Sequence, residues 1–223
     1  MLKKDTEITQ LYDLTHTMAA DYLRQFTYPW EALEGIADFL VKLGETLDPA
    51  EYRQVGENIW VHRTAEVFSS AYLHGPVIVG PGAQIRQCAF IRQSALIGEG
   101  AVVGNSTELK NVILFDAVET PHYNYVGDSI LGFHAHMGAG SITSNVKADK
   151  LHVQIHTGEG DVDTGRKKVG ALIGDHVEVG CGTVLNPGVV VGRNTNIYPL
   201  SSVRGCVDAD SIYKREGEIV RKH

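Results

Sequence analysis

Apolar residues recur at every sixth position between residues 61 and 115. An α-helix cannot keep that period on one face, because it turns once in about 3.6 residues, and a flat strand alternates with period two. A second position, four residues after each apolar one, is small or β-branched. This pattern predicts a parallel β-solenoid with three hexapeptides in each triangular coil. The apolar positions are Val61, Val67, Leu73, Val79, Ile85, Ile91, Ile97, Val103, Leu109 and Phe115.

The same spacing resumes after a gap, at Ile173, Val179, Leu185, Val191, Ile197 and Val203. The two runs together predict a mainly β protein of about seven coils, each of about eighteen residues. Glycine often follows the apolar position, where we expect corners with positive φ. These glycines are Gly80, Gly98, Gly104, Gly127, Gly138, Gly174, Gly180 and Gly192.

Residues 1–56 have a different pattern. Apolar residues recur there at three- and four-residue steps, and the Tyr28–Pro29 step interrupts the pattern once. Two short helices are therefore predicted. We expect this N-terminal helical cap to cover the open end of the first coil, which otherwise exposes apolar side chains and strand edges.

The solenoid domain is predicted over residues 57–208, with an excursion at residues 146–170. Within the excursion, Leu151, Val153 and Ile155 alternate with polar residues before a run of turn residues. That pattern predicts a β-hairpin thrown out from one corner. Residues 209–223 are expected to form a charged, exposed tail without chemistry.

Composition limits the classes of function. The chain has 223 residues, 43% of them hydrophobic and 21% charged, and a formal net charge of −7. That charge argues against binding to nucleic acid, and no apolar run is long enough for a signal peptide or a membrane span. The three cysteines, Cys88, Cys181 and Cys206, fit neither a disulfide framework nor a zinc motif. We therefore expect a cytoplasmic protein.

Candidate chemistry gathers where the period of six fails. The rhythm shortens to steps of five around residues 121–131, and His122 lies inside this disturbance. Arg92 and Lys110 are one coil apart, so we expect them to stack at one corner, where two cations can clamp a phosphate. Glu108 lies two residues before Lys110 and is expected to orient a histidine.

Three segments carry a family resemblance: residues 106–111, 122–128 and 137–145. In this order they resemble the acetyltransferase domain of bacterial bifunctional UDP-N-acetylglucosamine pyrophosphorylase/glucosamine-1-phosphate acetyltransferases. The chain looks closer still to the C-terminal domain of archaeal sugar-1-phosphate nucleotidylyltransferases, in which the excursion ends in a basic stretch like residues 165–171. The resemblance covers about residues 75–205.

This resemblance implies a left-handed β-helix that forms a homotrimer, with acetyl-CoA or another acyl-CoA bound between subunits as co-substrate and no metal. Carried over by position, His122 is the general base and Glu108 orients it. Arg92 and Lys110 bind the phosphate of an amino-sugar phosphate or sugar nucleotide. Tyr125 and Asn145 correspond to further substrate contacts.

Two departures from the family pattern bear on the substrate. His136 stands where the bacterial enzyme has asparagine, and it is kept as a substrate-binding candidate. A family lysine after the Asn145 position has no unambiguous equivalent; Lys147, Lys150 and Lys168 are candidates, and Lys150 and Lys168 are taken as cofactor-binding residues.

Two other functions compete with an acyltransferase. The first 58 residues contain no glycine-rich nucleotide loop, so nucleotidyl transfer is not expected from this chain. A non-catalytic trimer that binds a sugar nucleotide, or that scaffolds a separate nucleotidyltransferase, is therefore the main alternative. A zinc enzyme resembling a solenoid carbonic anhydrase is disfavoured, because His134 and His136 have the wrong spacing.

Overall fold

A computed structural model describes residues 1–222. The helical elements are all short and precede the solenoid. They are the 3₁₀-helices Lys3–Thr6 and Leu14–His16 and the α-helices α1 (Ile8–Leu11), α2 (Ala20–Leu23), α3 (Pro29–Ala32) and α4 (Ile36–Gly44). The first of the two helices predicted from the sequence is thus replaced by several separate turns.

The remaining chain consists of short strands. They are β1 (Tyr52–Gly56), β2 (Ile59–His62), β3 (Glu66–Val67), β4 (Tyr72–Leu73), β5 (Val77–Val79), β6 (Gln84–Ile85), β7 (Phe90–Ile97), β8 (Val102–Asn105), β9 (Glu108–Leu114), β10 (Glu119–His122), β11 (Tyr125–Leu131), β12 (His136–Met137), β13 (Ile142–Thr143), β14 (Gln154–Thr157), β15 (Gly160–Asp163), β16 (Ala171–Ile173), β17 (Glu178–Val179), β18 (Val184–Leu185), β19 (Val189–Val191), β20 (Asn196–Ile197), β21 (Ser202–Val203), β22 (Cys206–Val207), β23 (Ser211–Arg215) and β24 (Glu218–Arg221).

The strands stack in parallel into a three-faced prism, which confirms the predicted β-solenoid, a left-handed β-helix. Face A contains β2, β5, β16, β19, β22 and the second halves of β7, β9 and β11. Face B runs from β3 to β24, and face C contains β4, β13, β18, β21 and the first halves of β7, β9 and β11. Each long strand turns the corner between faces C and A.

The solenoid is longer than predicted. Within residues 1–222, face A alone has eight stacked strands, and the whole prism makes about nine turns rather than seven. Part of the difference comes from the C-terminal segment, which is not a loose tail. Strand β23 pairs in parallel with β20, and β24 folds back on it as an antiparallel hairpin. His223 lies outside the described residues.

Face A is apolar on both sides. Its strands carry a central residue that points away from the solenoid interior, because neighbouring side chains in a strand point to opposite sides. These central residues are nevertheless fully buried: Ile78, Leu96, Ile113, Ile130, Leu172 and Val190. Residues 3–44, which we call the strap, cover most of this side, and strand β14 of the excursion covers it at β19 and β22.

The strap runs along the flank of the solenoid, and its end at Gly44 packs against Trp60 of the first coil. The Leu11 carbonyl accepts a hydrogen bond from the backbone of Asp175, and the Leu33 carbonyl accepts one from the Asn111 amide, at 3.0 Å each. Helix α4 packs on β5, β7 and β9. The helices thus lie mainly on the outer side of face A, and the strand that adds to the first coil is β1, which pairs antiparallel with β2.

The corner glycines serve a purpose other than the predicted one. A Cβ on Gly104 would collide with the carbonyl of Pro121 in the next coil, and one on Gly98 would collide with the backbone of Phe115. Neither glycine has a positive φ. The left-handed corner positions lie two residues later, as at Ser106 with φ 54°. These glycines thus allow adjacent coils to approach closely.

The predicted excursion contains a β-hairpin, in which β14 pairs antiparallel with β15. Ile155 of this hairpin is fully buried, as is Val153 just before it, so the excursion packs against the solenoid. Its last residues return along the corner between faces C and A, where Val146 and Lys168 form an isolated antiparallel bridge.

Candidate active site

The candidate site is organised around the carboxylate of Asp128, which lies at the corner between faces C and A and has a side chain only 3% exposed. Its Oδ1 accepts hydrogen bonds from Lys110 Nζ at 2.9 Å and Asn111 Nδ2 at 3.0 Å. Its Oδ2 accepts one from Asn145 Nδ2 at 2.6 Å. One buried acid thereby holds two predicted site residues, Lys110 from the coil before it and Asn145 from the coil after it.

Arg92 lies beside this network but does not stack directly on Lys110. The register of β7 and β9 shifts between Ile91 and Gln93, so that Gln93 pairs with Lys110 and Arg92 is the bulged residue. A bulge redirects a side chain. Arg92 Nε donates to Glu108 Oε1 at 2.5 Å, and this contact raises the pKa of Arg92. Each predicted phosphate-binding cation therefore already has a carboxylate partner.

Glu108 contacts Arg92 in this structure, whereas the sequence predicts that it orients His122. Glu108 begins β9 on face C, and His122 ends β10 on face B. The two residues consequently belong to different faces of one chain, and no hydrogen bond joins their side chains within residues 1–222.

Tyr125 lies near the charges of both ion pairs. It opens β11 opposite Glu108, and its hydroxyl and the Asn145 amide both lie over Gly127, where a Cβ would come within 2.5 Å and 2.9 Å of them. Burial, followed by the charge of Asp128, raises the pKa of Tyr125. The phenol is therefore a neutral hydrogen-bonding group at neutral pH.

His122 lies at the corner between faces B and C, with an exposed side chain that has no hydrogen bond to any of residues 1–222. Its backbone is tightly held. The N–H donates to Asn124 Oδ1 at 3.1 Å, and the carbonyl accepts from the Gly140 N–H at 3.0 Å. An imidazole on a fixed backbone with both ring nitrogens free can accept a proton from a bound substrate.

Asn124, which anchors His122, is 2% exposed. Its amide nitrogen donates to the carbonyl of Gly138 at 2.9 Å and to the carbonyl of Ser141 at 3.1 Å. The side chain thus joins the coil of His122 to the next coil. This coil is one residue short, because Glu108 pairs with Tyr125 seventeen positions later.

His136 lies apart from the Asp128 network. It is the outward residue of β12 on face B, and its Nδ1 lies 2.9 Å from Glu178 Oε2. No group of three or more histidine, cysteine or acidic side chains within residues 1–222 is arranged to hold a metal ion. The structure therefore does not bring His136 together with Lys110, Tyr125 or Asn145 in one chain.

The two candidate cofactor lysines differ in position. Lys150 is exposed in the excursion, at a left-handed turn with φ 59°. Lys168 is beside the network, since it bridges Val146, and the next residue, Val169, donates its N–H to the Asn145 carbonyl at 3.1 Å. Of the two, Lys168 is the one adjacent to the candidate site.

The sequence had not singled out Asp128 or Asn124 as site residues. Both lie inside the segment 122–128 that carries the resemblance, at the shortened coil. The available signal was polarity: an acid and an amide occur within an apolar ladder, where a buried polar group requires partners. Those partners come from neighbouring coils and are not adjacent in sequence.

These features define a class of protein: a hexapeptide-repeat left-handed β-helix with a polar site at one corner. The family described as the GMPPB C-terminal domain matches residues 73–158. A bifunctional sugar-1-phosphate nucleotidylyltransferase/acetyltransferase of Sulfurisphaera tokodaii is 33% identical over 109 residues, which cover 49% of this chain and 27% of that protein. The bifunctional protein GlmU of Methanococcus maripaludis is 31% identical over 224 residues, which cover 99% of this chain and 54% of that protein.

The chain is therefore a hexapeptide-repeat β-helix protein related to these bifunctional proteins, as the sequence predicts, and it spans about half the length of the longest-matching of the two. Among solved structures, a putative acetyltransferase of Bacillus cereus aligns over 73% of this chain and 76% of its own, with 17% identity and a TM-score of 0.41. No helix within residues 1–222 has the length and apolarity needed to cross a membrane.

Proposed function

We propose that this protein is an acyl-CoA-dependent acyltransferase that acts on an amino-sugar phosphate or a sugar nucleotide. The observation that carries the proposal is the Asp128 network, which holds Lys110, Asn111 and Asn145 beside the Arg92–Glu108 pair. Such an array of fixed donors suits a phosphorylated, hydroxyl-rich acceptor. The name of the related protein of Sulfurisphaera tokodaii includes acetyltransferase activity.

In the proposed reaction, the acceptor's amine nitrogen attacks the carbonyl carbon of the thioester. His122 accepts the proton that the amine loses, the C–S bond breaks, and the thiolate of CoA leaves and takes that proton from His122 to become the free thiol. Lys110 and Arg92 hold the phosphate. Tyr125 and Asn145 hydrogen-bond the sugar, and their contribution is positioning.

Small residues along the corner beyond His122 support a site for the acyl donor. The next two coils have Gly138–Gly140 and Gly180–Gly182 at this corner, and a Cβ on Gly140 would meet no atom within 4 Å. Leu200, one coil further, is 85% exposed. An extended chain such as the pantetheine arm of CoA fits along this corner as far as the Leu200 side chain, which lies over Gly182.

A homotrimer would complete the site. In one chain, His122 lies at the corner between faces B and C, and the Asp128 network lies at the corner between faces C and A. Contact between copies through face C brings the first corner of one subunit towards the second corner of its neighbour. The base and the phosphate-binding residues then come from different subunits.

The test is release of free thiol from acetyl-CoA in the presence of a panel of amino-sugar phosphates and nucleotide-linked amino sugars. We expect turnover with at least one acceptor and a loss of more than about a hundredfold in kcat for His122→Ala. His62→Ala is the matched control, because His62 is a corner histidine of the first coil whose ring bonds Thr64 at 2.8 Å. It should retain full activity.

Two outcomes would overturn parts of this proposal. Turnover that survives His122→Ala would remove His122 as the base. No turnover by the unmodified protein, combined with tight binding of a sugar nucleotide, would favour the non-catalytic trimer, for which the pairing of Arg92 and Lys110 with carboxylates is the supporting observation.

A further inference from the structure

A cationic cleft opens between the strap and the end of the excursion. It has a volume of about 500 Å³. Its floor is the corner of the solenoid at Lys110, Asn111 and Asp128; one wall is the strap at residues 33–37, and the other is the basic stretch at residues 165–168. The strap lies outside the three segments that carry the family resemblance, whereas the floor of the cleft lies within two of them.

The charges in the cleft do not balance. Arg166 pairs with Glu34 at 3.0 Å, and Lys110 pairs with Asp128 at 2.9 Å. Lys167 and Lys168 have no ion pair with any of residues 1–222. The lining therefore has four cations and two carboxylates, an excess of two positive charges. The Nε of Arg166 is buried and has no hydrogen-bond partner within the described part of the chain. A buried donor without a partner is costly, and Arg166 is the residue of the lining that has one.

The cleft is continuous with the candidate site. Lys168 bridges Val146, directly after Asn145, and Arg166 lies two residues further along the same wall. Cationic groups thus extend from Lys110 and Asn145 to Arg166 at the strap. A single phosphoryl group at Lys110 would leave Lys167 and Lys168 without an anion, whereas two linked phosphoryl groups offer acceptors to more than one part of the lining.

We infer that this cleft binds a diphosphate ester. The inference rests on the proposed function, in which both a nucleotide-linked amino sugar and CoA contain this group. Bound diphosphate accepts from Lys167 and Lys168 and from the guanidinium of Arg166. Glu34 competes with the diphosphate for Arg166. The Glu34–Arg166 pair, which links the two walls of the cleft, therefore weakens binding of the diphosphate.

Isothermal titration at low ionic strength tests this with three probes: the nucleoside diphosphate UDP, CoA and inorganic phosphate. We expect UDP, CoA or both to bind at least about tenfold more tightly than phosphate, as one additional charge-assisted hydrogen bond implies. Lys167→Gln should weaken that binding about tenfold, and added salt should weaken it further. Glu34→Gln should strengthen it severalfold.

Opposite effects of two single substitutions cannot arise from a general folding defect. Lys42→Gln is the matched control, because Lys42 is in the last turn of α4, outside the cleft, and its loss changes the net charge by the same amount. It should leave all three dissociation constants unchanged. If Lys167→Gln weakens the binding of UDP, the diphosphate belongs to the acceptor. If it weakens the binding of CoA, the diphosphate belongs to the acyl donor.

The inference is overturned if phosphate binds as tightly as the diphosphates. It is also overturned if Lys167→Gln and Glu34→Gln leave their affinities unchanged, or if neither diphosphate binds. These titrations need no turnover. A failed thiol-release assay with intact, Lys167-dependent binding of UDP would therefore count against the proposed reaction and not against the cleft.

Discussion

The substitution Asp128→Asn tests whether one buried carboxylate supports the candidate site. Asparagine has nearly the same volume as aspartate and tolerates the left-handed backbone at this position, where φ is 47°. The substitution therefore removes a charge and little else. The Lys110 ammonium, whose side chain is 16% exposed, loses its ionic partner.

The expected cost follows from the burial of the pair. Removal of one partner from a buried ion pair costs about 3–5 kcal/mol, because the other charge stays out of water without compensation. Lys110 keeps some access to water, so we expect the lower end, about 3 kcal/mol. For a chain of this size, that loss lowers the melting temperature by about 6–12 °C.

Urea unfolding followed by circular dichroism measures the change, with Glu108→Gln as the matched control. Glu108 also forms an ion pair, with Arg92, but the two side chains are 34% and 40% exposed. Solvent screens such pairs, and we expect a loss below about 1 kcal/mol. Asp128→Asn combined with Lys110→Met should recover part of the stability, because no unpaired charge then remains.

The reasoning is refuted if Asp128→Asn costs no more than Glu108→Gln. It is also refuted if the double variant is as unstable as the sum of the two single ones, since that would mean that the two groups do not interact.

Three further outcomes follow from the fold. Gly104→Ala should destabilise the solenoid far more than Gly82→Ala in thermal melts. A Cβ at position 104 would collide with the backbone of the next coil, whereas a Cβ at position 82 would meet only open space. The only cost at position 82 is the strain of placing alanine at a φ of 62°. Leu96→Ala should cost about 3 kcal/mol in urea unfolding, because Leu96 is fully buried under the strap; Phe90→Ala on the same strand, 40% exposed, should cost much less. Burial raises the pKa of Tyr22 to about 12. The folded strap keeps this proton while the unfolded chain releases it, so stability should fall as the pH rises from about 10 to about 12, and Tyr22→Phe should reduce that loss in unfolding experiments at the two ends of this range.

The repeat could be read from the sequence because it depends on local periodicity. Each coil has the same requirement for apolar residues inside, so a period of six predicts the solenoid without knowledge of distant contacts. The position of the strap depends on a second, weaker pattern. Ile78, Leu96 and Ile113 are apolar and point outward, and together with the fixed inward residues they make continuous apolar triplets on face A. Such triplets indicate a strand that is covered on both sides.

The site was only partly predictable. The resemblance identified Lys110, Tyr125 and Asn145, and the structure brings these three together. The partners of each charge were not predictable, because a bulge of one residue at Arg92 changes which side chains meet. A pairing that depends on such a local shift cannot be derived from an ideal spacing of eighteen residues.

The covered face also restricts where function can occur. The strap buries the outer side of face A from the coil of Asp175 to that of β5, so neither a second copy nor a ligand can contact those strands. Ligand access and subunit contact must therefore use faces B and C and the corners that flank them. The exposed aromatic residues Tyr72 and Phe90 both lie on face C. At the corner of Asp128 the strap no longer covers the solenoid, and its residues 33–37 form a wall of the cationic cleft instead. The strap thus covers face A, which has no site, and forms part of the wall at the corner between faces C and A, where the candidate site lies.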